Sequence, residues 1–205
     1  MIDRIAIVGT GYAGLSAATH LVNQGLKVDV YEADSKAGGL AKGIQIKGHE
    51  WQIEPFYHHW FHKEKSIQQL AKLHEIEDLI EVYSPNTSFF LEGKIKPFDR
   101  PQHVLLYPGL SLSDRYKLGK TLAILRLSNN WEDYEKVTAE NWLIDKMGRN
   151  VYEKMWKPML IGKWGSYYNQ INMAWFWARI YVRTKKLMYP RGGFQNFTNK
   201  IVNSL

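Results

Sequence analysis

Gly9, Gly11 and Gly14, with Glu32 eighteen residues beyond the last of them, are the residues whose types and spacing could do chemistry. The chemistry they suit is the gripping of a diphosphate. A glycine lets a strand turn sharply into a helix (Gly9), lets the backbone approach an anion (Gly11), and lets a helix pack closely on a sheet (Gly14). The N-terminus of the helix then offers unpaired N–H groups and the positive end of its dipole to two phosphate charges. A carboxylate closing the next strand accepts hydrogen bonds from ribose hydroxyls and repels a 2′-phosphate, which points to a dinucleotide without one.

Local elements must hold these residues, and the flanking sequence supplies them. Ile5, Ala6, Ile7 and Val8 read as a buried strand, and the turn Gly9-Thr10-Gly11-Tyr12-Ala13-Gly14 opens a small-residue helix that runs to Gln24. Gly25 ends the helix, and residues 27–31 alternate into a second strand. A strand, a crossover helix and a second strand at this length form a βαβ unit with a parallel pair.

The residues after the acid narrow the choice of ligand. The segment Glu32-Ala33-Asp34-Ser35-Lys36-Ala37-Gly38-Gly39-Leu40 resembles the second signature of flavin-dependent amine oxidases, protoporphyrinogen oxidases and phytoene desaturases. In those families an acid, a basic residue four positions on and a Gly-Gly pair wrap the adenosine and diphosphate of FAD. Lys36 stands where many relatives carry arginine, a point charge in place of a planar fork of donors. The resemblance therefore implies FAD as cofactor, with Gly9, Gly11, Tyr12, Ala13, Gly14, Glu32, Ala33, Lys36, Gly38, Gly39 and Leu40 around it. Glu54-Pro55-Phe56-Tyr57-His58 occupies the place of a flavin-lining segment in relatives, with Phe56 and Tyr57 where Gly-Pro is usual, so Tyr57 and His58 are the expected flavin-side contacts. No residue has the look of a catalytic acid or base.

Length and composition set outer bounds. The chain of 205 residues is 45% hydrophobic and 14% aromatic, enough to bury a core in one or two domains. No apolar run reaches the length of a membrane span and no signal-peptide layout opens the chain, so a cytoplasmic protein is expected, with peripheral contact at the inner face of the membrane as an added reading. The absence of cysteine excludes disulfides, cysteine nucleophiles, thiolate metal sites and a cysteinyl-flavin link within the chain. The net charge of +7 asks for an anionic partner, but the positive residues are dispersed and form no block of the kind that binds nucleic acid. His58, His59 and His62 raise a metal reading that the extended spacing and the lack of accompanying ligands disfavour.

Beyond residue 40 the pattern predicts a hairpin around Lys47-Gly48, an amphipathic helix over 63–80 with Ser66 and Gln69 as a capping box, and strands at 82–83, 87–91 and 94–98 with a turn at Glu92-Gly93. A helix over 112–128 comes after Ser111 or Ser113; its basic and apolar residues fit an anionic membrane or, preferably, an ordinary surface helix. Thr138 caps a helix that Gly148 ends, another helix starts at Val151, and Pro158 limits its continuation. Trp156, Trp164, Tyr167, Trp175 and Trp177 read as core in preference to a flat pocket. The runs 138–143, 151–165 and 174–179 are similar to bacterial protoporphyrinogen-oxidase-like proteins. The last segment predicts a strand at 187–189, a turn over 190–193 and a helix with Phe194, Phe197, Ile201 and Val202.

The expected fold is α/β: a Rossmann-like FAD/NAD(P)-binding portion over 1–80, an inserted, mainly helical α+β substrate portion over 81–188, and a return segment over 189–205. Relatives continue with a strand beside the adenine and a segment closing over the flavin, so the resemblance implies a truncated, N-terminal half. The implied activity is an FAD-dependent oxidoreductase that takes a hydride from an apolar or amine small-molecule substrate. The alternatives are a non-redox flavoenzyme resembling UDP-galactopyranose mutase, or a non-catalytic dinucleotide-binding fragment.

Overall fold

The computed structural model describes residues 4–56, 58–91 and 93–205, with Leu91 as backbone alone. The chain divides into two compact units, Met1–Pro85 with Lys186–Leu205, and Asn86–Lys185. The units divide at 85/86 and 185/186, where the expected portions met at 80/81 and 188/189, because residues 80–83 pair with residues 187–190 inside the first unit.

The first unit begins with β1 (Ile5–Val8), α1 (Tyr12–Asn23) and β2 (Val28–Tyr31). β1 and β2 are parallel, with Ile5 opposite Val28 and Val8 opposite Tyr31. Gln24 caps α1, and Gly25, at φ +80°, turns the chain back toward β2. Glycine is suited to that left-handed position because it has no Cβ to clash.

The predicted hairpin over 44–53 contracts to a single bridge, Ile44 with Ile53, closed by two hydrogen bonds of 2.9 and 3.0 Å. After the two-residue β3 (Trp60–Phe61), α2 covers only Lys65–Leu73. Glu75, at φ +56°, breaks the helix and Ile76 tucks its N–H onto the Ala71 carbonyl at 3.0 Å. Ser66 lies inside this helix, past its N-cap Glu64, so the expected capping box does not form.

β4 (Ile80–Tyr83) does not pair with the strand after it. It joins β7 (Leu187–Pro190), the central strand of an antiparallel sheet ordered β3-β7-β4. That pairing ties residues 80–85 and 186–188 to the first unit. α10 (Gly193–Ser204) then drives Phe194, Phe197 and Ile201 into a core with Leu15, Leu70, Ala71 and Met188. Trp60 meets Phe194 and Phe197 edge-on, with ring centroids 4.8 and 5.1 Å apart. Full burial of each such large side chain contributes about 1.5–3 kcal/mol. Val202, expected on this face, is exposed.

The second unit opens with β5 (Ser88–Leu91) paired antiparallel to β6 (Lys94–Pro97); Glu92 of the expected turn lies outside the described residues. Helices come next: α3 (Pro101–Leu105), α4 (Leu112–Leu127), α5 (Trp131–Glu135), α6 (Ala139–Met147), α7 (Arg149–Val151), α8 (Lys157–Trp164) and α9 (Met173–Tyr181). Ser111 and Asp114 form a reciprocal capping box on α4. Thr138 and Asn172 cap α6 and α9 side by side, joined by a bridge. α4 buries Leu118, Thr121 and Leu125 and leaves Leu112, Tyr116 and Leu127 exposed.

The helix expected from Val151 is a π-helical segment, Tyr152–Trp156, that leads into α8. Pro158 cannot donate to the Lys154 carbonyl, and the Tyr107 hydroxyl supplies the missing donor at 3.1 Å. Trp156 is buried against Phe176, and Trp164 packs edge-on against Trp175. Trp156 is core and Trp164, Trp175 and Trp177 are half-buried against it, as the sequence favoured, with Tyr167 exposed.

Candidate functional site

The glycine turn sits between β1 and α1 with its backbone open. Gly9 adopts φ +96°, and a Cβ placed on Gly9 or Gly11 would meet nothing within 4 Å. Gly14 is the opposite case, because a Cβ there would lie 2.0 Å from the Gly9 carbonyl oxygen. The helix must therefore touch the turn at this residue for the crossover to close. α1 has Gly11 as N-cap, no side chain bonded across its first turn and no acidic residue within it. Its first N–H groups and its dipole are left for an anion.

Glu32 points into this mouth. Its Oε2 accepts from the Thr10 amide at 2.9 Å and from the Thr10 hydroxyl, while Oε1 accepts from the Asp34 amide at 3.0 Å. The Thr10 hydroxyl and amide hold the Glu32 carboxyl below its ordinary range, so it is a carboxylate at neutral pH. The side chain remains exposed and within reach of solvent.

The second glycine pair lies directly on the first turn. The Gly38 amide donates to the Thr10 carbonyl at 3.1 Å, and a Cβ on Gly39 would come 3.1 Å from the Gly11 Cα. Two glycine segments separated in sequence thus share one cradle. Ala13, Ala33 and Leu40 are exposed around it, and Val8, at the end of β1, is 88% exposed beside it. Lys36 reaches the Gln52 carboxamide oxygen at 3.5 Å, and Lys42 pairs with Asp34.

Tyr12 has a different position from its neighbours. Its ring packs edge-on against Trp60, Phe194 and Phe197, and its hydroxyl accepts from Thr198 at 3.4 Å. Burial raises its pKa well above the ordinary phenol value. The side chain is core, and what Tyr12 presents at the turn is backbone. Tyr57 lies outside the described residues.

The same aromatic group connects the turn to a cavity of about 500 Å³ on the β3-β7-β4 side. Phe194 touches Tyr12 on one side and His58 and Tyr189 on the other, with ring centroids 5.7 and 5.1 Å away for the last two. The cavity wall is chiefly apolar and aromatic, including Phe56, Tyr83, Leu187 and Met188, with Glu54 its one carboxylate among the described residues. Glu54 accepts from the Tyr189 hydroxyl at 2.8 Å and from the Phe194 amide at 2.9 Å, which caps α10. Burial and the Glu54 carboxylate both push the Tyr189 pKa upward. His58 lines this cavity and donates from Nδ1 to the Phe56 carbonyl at 2.7 Å. Among the described residues no group of three or more His, Cys, Asp and Glu could hold a metal, and no helix is long and apolar enough to cross a membrane.

A family model described as flavin containing amine oxidoreductase matches residues 12–204. The chain belongs to that family. Curated relatives match this flavin amine oxidoreductase chain over stretches of different length. It is 40% identical over 52 residues to a zeta-carotene-forming phytoene desaturase from Myxococcus xanthus, covering 25% of this chain and 10% of that protein. It is 44% identical over 48 residues to protoporphyrinogen oxidase 2, chloroplastic/mitochondrial, from Arabidopsis thaliana, covering 23% and 9%. Among solved structures, reduced UDP-galactopyranose mutase superposes with a TM-score of 0.72 at 17% identity, over 99% of this chain and 47% of the mutase. At that identity the likeness is one of fold, Rossmann-like with a second, mainly helical part. The chain spans about half the length of this solved relative.

FAD is the cofactor that goes with the family, and the residues present fit it. The cradle is open where a diphosphate needs backbone, closed where the helix needs the sheet, and lacks a side-chain anion in its first turn. Two residues of this neighbourhood escaped the sequence reading: Gly43, whose Cβ would lie 2.5 Å from the Gln52 Cβ, and buried Gln195. An isolated glycine in a strand-like stretch was the available signal for the first.

Proposed function

We propose that this chain is the cofactor-gripping portion of an FAD-dependent oxidoreductase acting on an apolar or amine small molecule. The observation that carries the reading is the open, uncapped turn at Gly9–Gly14 with Glu32 anchored to it, in a chain matched to the family over residues 12–204. The amides of the turn would hold the diphosphate, with Gly38 and Gly39 closing over it, and Glu32 would accept from the ribose. Lys36, Ala13, Ala33 and Leu40 would complete the surround. Bound FAD supplies the redox chemistry, accepting a hydride from a C–N or C–C bond.

The chain's own residues orient the substrate and exclude water. The aromatic and apolar wall of the 500 Å³ cavity suits a flat or extended apolar molecule, and His58, on that wall, would be a flavin-side contact. Glu54 and Tyr189 offer a fixed polar pair on that wall, able to orient one hydrogen-bonding head group.

The test is anaerobic mixing of the FAD-loaded full-length protein with amine, porphyrinogen and polyene substrates. Substrate-dependent loss of the long-wavelength flavin absorbance is the expected result. Turnover of a sugar nucleotide with no net loss would favour the mutase-like, non-redox alternative.

A further inference from the structure

The Gly38-Gly39 loop has little to hold it from within. Between Ala37 and Gly43 it contains one short turn, with the Ala41 amide on the Gly38 carbonyl at 3.0 Å and the Lys42 amide on the Gly39 carbonyl at 3.3 Å. Its two ends are fixed instead by one side chain, 158 residues from the first and 152 from the second. Gln195, the third residue of α10, is 4% exposed. Its Oε1 accepts from the Gly43 amide at 2.9 Å, and its Nε2 donates to the Ala37 carbonyl at 3.0 Å and to the Asn199 Oδ1 at 2.9 Å. Both carboxamide hydrogens and the oxygen are thereby used.

We infer that Gln195 is a positioning residue for the cofactor, clamping both ends of the Ala37–Gly43 loop so that Gly38 and Gly39 stay seated on the Thr10–Gly11 turn. The inference rests on the reading of that turn as an FAD cradle. Gly43 permits the clamp, because a Cβ there would sit 3.2 Å from the Gln195 Cβ. α10 is itself held in place by Phe197 and Ile201 in the core and by Glu54 at its N-terminus. The return segment therefore fixes a loop in the nucleotide cradle through one amide group.

Gln195→Glu tests this with a readout that packing alone would not move. A protonated carboxyl has the shape of the amide and can still donate to Ala37 while accepting from Gly43, giving up only the bond to Asn199. An ionised one has no donor and sets a carboxylate oxygen against both the Ala37 carbonyl and the Asn199 Oδ1. Burial raises the pKa of the introduced carboxyl, bringing the switch into an accessible range. The charged groups nearest in sequence or contact are Lys36, turned to Gln52, Lys42, paired with Asp34, Glu54 on the α10 N-terminus, and Lys200 on α10 itself.

The experiment measures the FAD dissociation constant of the full-length protein from pH 5.5 to 9, as the ratio of variant to wild type at each pH, with the melting temperature of the apoprotein alongside. Gln195→Glu should come within about threefold of wild type at the acid end and bind on the order of tenfold more weakly than that at the alkaline end. Gln195→Leu should be weakened at every pH with no such slope, and it carries the test if the glutamate variant does not fold. A ratio near one throughout for either folded variant, or a pH-independent loss in Gln195→Glu that tracks the melting temperature, overturns the inference. Wild-type protein that takes up no FAD overturns the cradle reading itself.

Discussion

Gly11→Ala separates the two uses of glycine in the turn. At φ −62° and ψ 166° alanine is unstrained, and the added Cβ meets no protein atom within 4 Å. The apoprotein should therefore keep its stability to within about 1 kcal/mol, the stiffer unfolded chain offsetting alanine's poorer fit to the N-cap position. The methyl instead occupies space that the cofactor's diphosphate would use, and overpacking of that kind costs roughly 1–3 kcal/mol. FAD should then bind about 10- to 100-fold more weakly at about 1.4 kcal/mol per factor of ten. Gly14→Ala gives the reverse pattern. Its Cβ would lie 2.0 Å from the Gly9 carbonyl oxygen, where an ordinary carbon–oxygen contact is about 3.3 Å, so helix and turn must part by about 1.3 Å. The obstacle is backbone and cannot swing aside, so the loss falls on apoprotein stability, at or above the upper end of the roughly 1–3 kcal/mol range. The assay is chemical denaturation of the apoproteins together with fluorescence titration of FAD. Wild-type affinity in Gly11→Ala, or unchanged stability in Gly14→Ala, would refute the assignment of those roles.

The hydrogen-bond network sets two further outcomes. The Glu32 carboxyl is held below its ordinary value of 4.5, so its stabilising contribution is present above that pH and lost as pH falls through the lower folded value. Denaturation of wild type and Glu32→Gln should accordingly differ near neutrality and converge in acid; a gap that widens in acid would contradict this. Tyr107→Phe removes the donor that Pro158 cannot provide for the Lys154 carbonyl, and should destabilise the protein by about 1 kcal/mol in urea denaturation without altering FAD affinity.

The first forty residues were legible because their constraints are local: glycine spacing, strand length and the acid position are all set within one βαβ crossover. Capping residues such as Ser111, Thr138 and Asn172 act within three residues of themselves and carry their signal in the sequence or close to it. The pairing of β4 with β7 was not legible, since strand pattern marks a strand without naming its partner. The ring of Tyr12 could not be assigned from the motif either, because its destination is built by Trp60, Phe194 and Phe197 from distant segments. Gln195 looks like a polar interruption between Phe194 and Phe197 until the loop it holds is placed beside it. Glu54 was marked by its place in a flavin-lining segment, while its bonds to Tyr189 and the α10 amide depend on the return of residues 186–205.

Equilibrium titration of FAD into the full-length protein, read out by its visible spectrum, tests the central claim most directly. One FAD per chain, with perturbed flavin bands and weakened uptake in Gly11→Ala, is the predicted result. Colourless protein that takes up no added FAD would contradict it.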